Sequence, residues 1–393
     1  MISKKMKELV IGSSVIRAMF EEGRIMAEKY GADNVYDFSL GNPNMPPPTA
    51  VAEIMTDILK NEKPGFVHGY MNNAGYEDVR DMISKSINKK FNTHIKGKNI
   101  IMTAGAAGGL NVILKTLLEP EDEVIAFAPY FVEYRAYTDN FGGKLVVVPP
   151  KAPEFQPDLA AFEGLLSAKT KAVIVNSPNN PTGVVYSEST IKKMADILNN
   201  AQKTFNTEIY LISDEPYREL VYDGTVVPYI PHYYKNTIIG YSYSKSLSMP
   251  GERIGYLIIP DEVAAFEDVV DGATVANRIL GFVNAPSLIQ RTVAYCTDLT
   301  IDVAGYNKKR EALYTGLKDA GYECVKPQGA FYLFVKSPVP DDREFCAMAK
   351  QYNILIVPGT AFACPGYVRI AYCVAYETVI RSIPKFKELI KKV

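Results

Sequence analysis

EIYLISDEP, residues 208–216, decides the fold. Its run Ile209–Ile212 is continuously apolar and then stops on Ser213, two acids and a proline. An alternating strand keeps one face wet. A continuous run is buried on both faces, as in a parallel sheet covered by helices on each side. The acids therefore stand at the tip of a buried strand. In an open parallel sheet, ligands bind in the crevice beyond the carboxyl ends of the strands.

Six further runs of the same kind flank it: NIIMTAG (99–105), EVIAFAP (123–129), GKLVVVP (143–149), KAVIVNSP (171–178), NTIIGYSYS (236–244) and RIGYLIIP (253–260). Helical periodicity separates several of them. Leu110, Ile113, Leu114 and Leu117 share one helical face, as do Ile191, Met194, Ala195 and Leu198. The fold class that follows is α/β, with a seven-stranded, mainly parallel sheet flanked by helices. From about residue 287 the pattern changes to helices with the short strands GAFYLFVK (329–336), ILIVPG (354–359) and YVRIAY (367–372), then a basic amphipathic helix at 376–392. We expect a smaller α+β domain built from both termini. The expected divisions are 1–45, an N-terminal arm with a helix at 14–30; 46–286, the large domain; and 287–393, the small domain.

The chain of 393 residues carries 43 Lys+Arg against 44 Asp+Glu, so any bound anion must be held locally rather than by overall charge. That balance points to neither nucleic acid nor a membrane surface as the main partner. Five cysteines form no CxxC pair, and three histidines lack metal-ligand spacing. No metal site is expected. No signal peptide is read at the N-terminus, and a cytoplasmic location is the expectation.

The strand ends carry the groups that could bind a ligand. After 99–104 comes Gly105-Ala106-Ala107-Gly108-Gly109, opening a helix. Small residues and a helix N-terminus suit a phosphate, although a tight turn reads equally well. After 123–129, Tyr130 could stack on a planar ring; core packing is the plainer reading. Pro178-Asn179-Asn180-Pro181 makes a rigid polar turn from which Asn180 could donate. Asp214 is costly to bury without a cationic partner or a ring N–H; an N-cap is the alternative. Ser242, Ser244 and Arg253 could hold a phosphate, and Lys245, if desolvated, becomes a nucleophile.

Taken together, NNPTG (179–183), DEPY (214–217), SYSKSLSMPGERIG (242–255) and VRIAY (368–372) resemble the fold-type-I pyridoxal-phosphate enzymes, and within them the class I and II aminotransferases of the aspartate aminotransferase type. The resemblance runs from Gly41 to Arg369. It implies pyridoxal 5'-phosphate as cofactor, bound as an internal aldimine on Lys245, with Asp214 on the pyridine nitrogen. Tyr217 and Asn180 would bond the phenolic oxygen, and Gly105, Ala106, Ala107, Ser242, Ser244 and Arg253 the phosphate. Tyr130 resembles the residue stacked on the ring. Arg369 resembles the arginine on the substrate α-carboxylate, with Gly41 beside it. Tyr70 resembles a tyrosine that reaches the neighbouring subunit's cofactor, which implies a homodimer with shared sites.

The implied reaction moves an amino group between an L-amino acid and a 2-oxo acid by ping-pong kinetics. We lean towards aspartate or glutamate as donor and 2-oxoglutarate as acceptor; alanine or aromatic donors stay open. Arg278 lies roughly where one subgroup places a side-chain-reading arginine from the other subunit, but a helix-face or dimer-surface arginine is the plainer reading. Arg17, Arg24 and Lys115 are weaker candidates. The alternative chemistry is C–S β-elimination on the same fold. A DNA-binding regulator would need an N-terminal helix-turn-helix domain, for which no room is expected.

Overall fold

The computed structural model describes residues 2–393, apart from the side chains of residues 11–20. Among the described residues there are twelve strands: β1 (Tyr36–Asp37), β2 (Ile100–Thr103), β3 (Glu123–Phe127), β4 (Lys144–Val148), β5 (Thr170–Asn176), β6 (Tyr210–Asp214), β7 (Thr237–Ser242), β8 (Gly255–Ile258), β9 (Tyr332–Lys336), β10 (Ile354–Leu355), β11 (Val357–Pro358) and β12 (Tyr367–Ala371). The seven middle runs all become strands of one sheet, ordered β2-β8-β7-β6-β5-β3-β4. Only β8 runs against its neighbours β2 and β7. Six strands therefore end at one edge of the sheet, and β8 begins there.

Continuous apolar runs are buried as their pattern demands. Every residue of β2, β5 (except Lys171), β6, β7 and β8 is buried. The outermost strand β4 is the exception, with Lys144 exposed and Leu145–Val147 half-covered. One face packs against the helices Gly105–Leu117 and Phe266–Ile279, whose Leu110, Ile113, Ala273 and Ala276 join Val124, Ile174 and Leu257 in one core. The other face meets the helix Glu188–Phe205 through Ile191, Met194 and Leu198.

The C-terminal segment folds around β11-β12-β9. The N-terminal segment joins it: β1 pairs in parallel with β10, and Phe38 bonds both Leu355 and Ala371 through its backbone. The first helix differs from expectation. It spans Lys4–Tyr30 rather than starting at residue 14, because Ser3 caps it by accepting from the Met6 amide. Apolar periodicity is weak over its first turns, so the pattern alone did not reach the cap. Among the described residues no helix is long and apolar enough to cross a membrane.

Candidate active site

A cavity opens at this edge, where β2, β3, β5, β6 and β7 end, lined by residues from both halves of the chain. Lys245, Asp214, Asn180, Ser242, Ser244, Arg253, Tyr217, Ala106 and Ala107 line it, with Gly41 and Arg369 from the opposite wall.

The loop after β2 supplies the first wall. Gly105 has φ +71°, and a Cβ there would lie 2.9 Å from Nη2 of Arg253. Both the left-handed backbone and the close approach require glycine. The helix that follows has Ala104 as its N-cap and no side-chain cap bond. Its first amides are left for an outside acceptor, at the positive end of the helix dipole. Arg253 is itself left-handed, at φ 52°, and bonds the carbonyls of Pro250 (2.8 Å) and Ala104 (3.5 Å). Ser242 and Ser244 stand beside it, their hydroxyls 2.8 Å apart. Two hydroxyls, a guanidinium and uncapped amides could hold a phosphate dianion.

DEPY divides its two acids between opposite sides of the sheet. Glu215 faces away and is satisfied: Ser213 Oγ and Arg218 Nη2 donate to its Oε1 at 2.7 and 2.6 Å. Asp214 faces the cavity. Tyr134 Oη donates to its Oδ2 at 2.5 Å, while Oδ1 is buried with no hydrogen-bond partner. Burial raises the Asp214 carboxyl to about 7 against the opposing Tyr134 bond. A buried carboxylate with one oxygen open to a cavity is incomplete without a donor, and a protonated ring nitrogen fits that place.

The Lys245 amine donates to the Gly41 carbonyl at 2.7 Å. Burial lowers its pKa to about 8, with Arg253 and Arg369 adding to the effect and the Cys373 thiol opposing it. A lysine so shifted supplies neutral amine near neutral pH. Asn180 is held in place from the backbone. Its amide N–H donates to Asn176 Oδ1 (2.8 Å), and Asn176 in turn donates to the Asp214 carbonyl (2.9 Å). Arg369 donates to Asn180 Oδ1 (3.1 Å) and to the Ser39 carbonyl (2.6 Å), and its Nε is buried without a partner. Its guanidinium lies over the rings of both Tyr332 and Phe362, 4.9 Å from each centroid. Stacked in this way, it keeps a planar fork suited to a carboxylate.

The structure corrects one residue and leaves others outside the cavity. Tyr130 does not line it. Its ring stacks on Tyr134 with centroids 6.3 Å apart, and Phe131 lines the cavity instead. Adjacent side chains leave a chain in different directions, and counting from the strand end chose the wrong one. Tyr70 is 92% exposed and does not line this cavity. Arg278 ends an exposed helix turn, Arg24 pairs with Glu21 and Glu28, and Lys115 lies over Phe141. None of the three lines the cavity. The Arg17 side chain lies outside the described residues. Sequence reasoning missed Asn176, Ser39, Phe362 and Tyr332, and it gave Tyr134 no bond to Asp214. The alternation of GAFYLFVK could have placed Tyr332 on one face of its strand, but not facing the cavity.

The profile of the family Aminotransferase class I and II matches residues 33–382. The aspartate aminotransferase of Thermotoga maritima is 31% identical over 394 residues, covering 99% of each chain. A probable aspartate/prephenate aminotransferase of Thermus aquaticus is 31% identical over 362 residues, covering 89% of this chain and 90% of its own. The crystal structure of an aminotransferase from Eubacterium rectale superposes with a TM-score of 0.97 at 44% identity, covering 100% of this chain and 99% of its own.

Proposed function

Because the chain belongs to the class I and II aminotransferase family, we propose that its cavity holds pyridoxal 5'-phosphate and moves an amino group from aspartate or glutamate to 2-oxoglutarate. The reading rests on one observation: Lys245, Asp214, Arg253 and Arg369 line a single cavity. The acidic donor is supported by the names of the Thermotoga and Thermus relatives. When bound, the cofactor supplies an electron sink that acidifies the substrate Cα–H.

The chain's residues perform the rest. Gly105, Ala106, Ala107, Ser242, Ser244 and Arg253 hold the phosphate and so set the ring's distance from Lys245. Asp214 stays ionised opposite a protonated ring nitrogen, because that partner offsets the burial that otherwise raises its pKa. Tyr217 and Asn180 donate to the phenolic oxygen, and Phe131 takes the place on the ring face. Arg369 forks onto the α-carboxylate, and Gly41 borders it, so the Cα–H bond is presented in one orientation. Lys245, with a pKa lowered to about 8 and so partly neutral near that pH, takes the Cα proton as base and returns it as acid. Tyr70, exposed on its own subunit, serves the neighbouring site in a homodimer.

A panel of amino donors against 2-oxoglutarate tests the reading. Aspartate or glutamate should give the highest kcat/KM, with alanine and aromatic amino acids as the competing arms. Pyruvate released from cystathionine without any oxo-acid acceptor would replace transamination by β-elimination.

A further inference from the structure

Tyr332 lies at the junction of the cofactor wall and the carboxylate wall, in β9, where it pairs with Ala371 of β12. Its side chain is 2% exposed. Its hydroxyl is 2.9 Å from that of Tyr217, and the two rings meet edge-on, centroids 5.7 Å apart at 84°. The Arg369 guanidinium covers its face at 4.9 Å. A methyl group on Gly41 would meet its Oη at 2.1 Å, so the backbone that accepts the Lys245 amine lies against the same hydroxyl. The ring is held on three sides, and its polar tip is aimed at Tyr217.

We propose that Tyr332 is a positioning residue that donates its hydroxyl proton to Tyr217 and thereby aims the Tyr217 proton at the cofactor's phenolic oxygen. This rests on the cofactor reading above. A phenol carries one proton and two lone pairs. Tyr217 cannot donate to Tyr332 and to a ligand at the same time. With Tyr217 turned to the cavity, the pair is satisfied only if Tyr332 donates to it. Burial raises both phenols, Tyr332 to about 12 and Tyr217 well above its ordinary value, so each keeps its proton throughout the working range. A donor that itself accepts a hydrogen bond donates more strongly, by about 10–30%. Gly41 and Arg369 prevent the Tyr332 ring from swinging away.

The consequence is readable without turnover. With the cofactor bound, a donor to its phenolic oxygen would draw charge from that oxygen and loosen the proton held at Lys245 Nζ. If that donor weakens, the proton binds more tightly and the absorbance titration of the bound cofactor moves to higher pH. The experiment loads the wild-type chain, Tyr332→Phe, Tyr217→Phe and the double variant with pyridoxal 5'-phosphate and titrates absorbance against pH. Tyr217→Phe should move the midpoint up. Tyr332→Phe should move it the same way by less, roughly 0.3–1 pH unit. In the Tyr217→Phe background, Tyr332→Phe should add nothing. An unmoved midpoint in Tyr332→Phe, or additive shifts in the double variant, overturns the proposal. If Tyr332→Phe does not fold, Gly41→Ala displaces the same hydroxyl and must also move the midpoint upward; an unmoved midpoint there overturns it equally. A wild-type chain with no Lys245-dependent band is a different result: it refutes the cofactor reading, and the proposal with it.

Discussion

Tyr134 donates to one oxygen of Asp214 at 2.5 Å and leaves the other, Oδ1, buried and unpaired. The bond pulls the Asp214 pKa down against burial, which pushes it up to about 7. Tyr134→Phe removes the pull, so the carboxyl becomes easier to protonate and a poorer partner for a cationic ring. A hydrogen bond to a charged group is worth about 1.5–3 kcal/mol, so the cofactor dissociation constant should rise about 10–100-fold. Equilibrium dialysis measures it, and an unchanged constant removes Tyr134 from the site.

The same shift gives the cofactor-free protein a pH dependence. The folded Asp214 pKa, about 7, stands above the ordinary 3.8. Between those values the native state binds more protons than the unfolded one, so stability from this group is full below about pH 4 and lost as pH rises through 7. Asp214→Asn removes that loss. The variant should be more stable than wild type at pH 8, by about 2–4 kcal/mol, and show little gain at pH 4. Thermal melts at the two pH values decide it; an equal gain at both would exclude the titration. Activity should fall at least about 100-fold, since a neutral amide cannot hold a protonated ring nitrogen.

Arg369→Lys keeps the charge and loses the fork. An ammonium makes point contacts and cannot bond both carboxylate oxygens in plane. It also gives up the stacking over Tyr332 and Phe362. We expect kcat/KM for the amino acid to drop by about 100-fold, with cofactor affinity little changed. Steady-state kinetics with dialysis of the cofactor separates the two; parallel losses would place Arg369 on the cofactor instead.

Tyr70 is tested by mixing two variants, each expected to lose activity on its own. Under the proposed function, Tyr70→Phe would lack the residue given to the neighbour, and Lys245→Ala would lack the nucleophile. In a mixed dimer one site has both, so subunit exchange should restore about one quarter of the wild-type activity. Mixtures that stay inactive after demonstrated exchange would show that Tyr70 does not act across subunits.

The sheet was legible because burial on both faces leaves unbroken apolar runs, and each of the seven became a strand. Residues at strand tips were legible for the same reason: a polar group ending an apolar run has few places to go. Lys245, Asp214 and Asn180 were picked out that way, and the three line one cavity. Direction was not legible. Phe131 and Tyr130 are adjacent aromatics, and only the turn after β3 decides which one faces the cavity. Nor were the groups packed around Arg369. Ser39, Tyr332 and Phe362 come from segments far apart in the chain, and their meeting depends on packing between the termini.

The single reversed strand, β8, has a consequence for how the cavity tolerates change. Five of the connections leaving this edge are crossovers to the next parallel strand. Lys245 and Arg253 instead sit on the two arms of one antiparallel turn between β7 and β8. The chain itself is a ruler between the lysine and the arginine, the covalent anchor and the phosphate anchor of the proposed function. Adding or deleting a residue between Ser246 and Glu252 changes that measure directly, whereas loops on the other strands can lengthen without touching it.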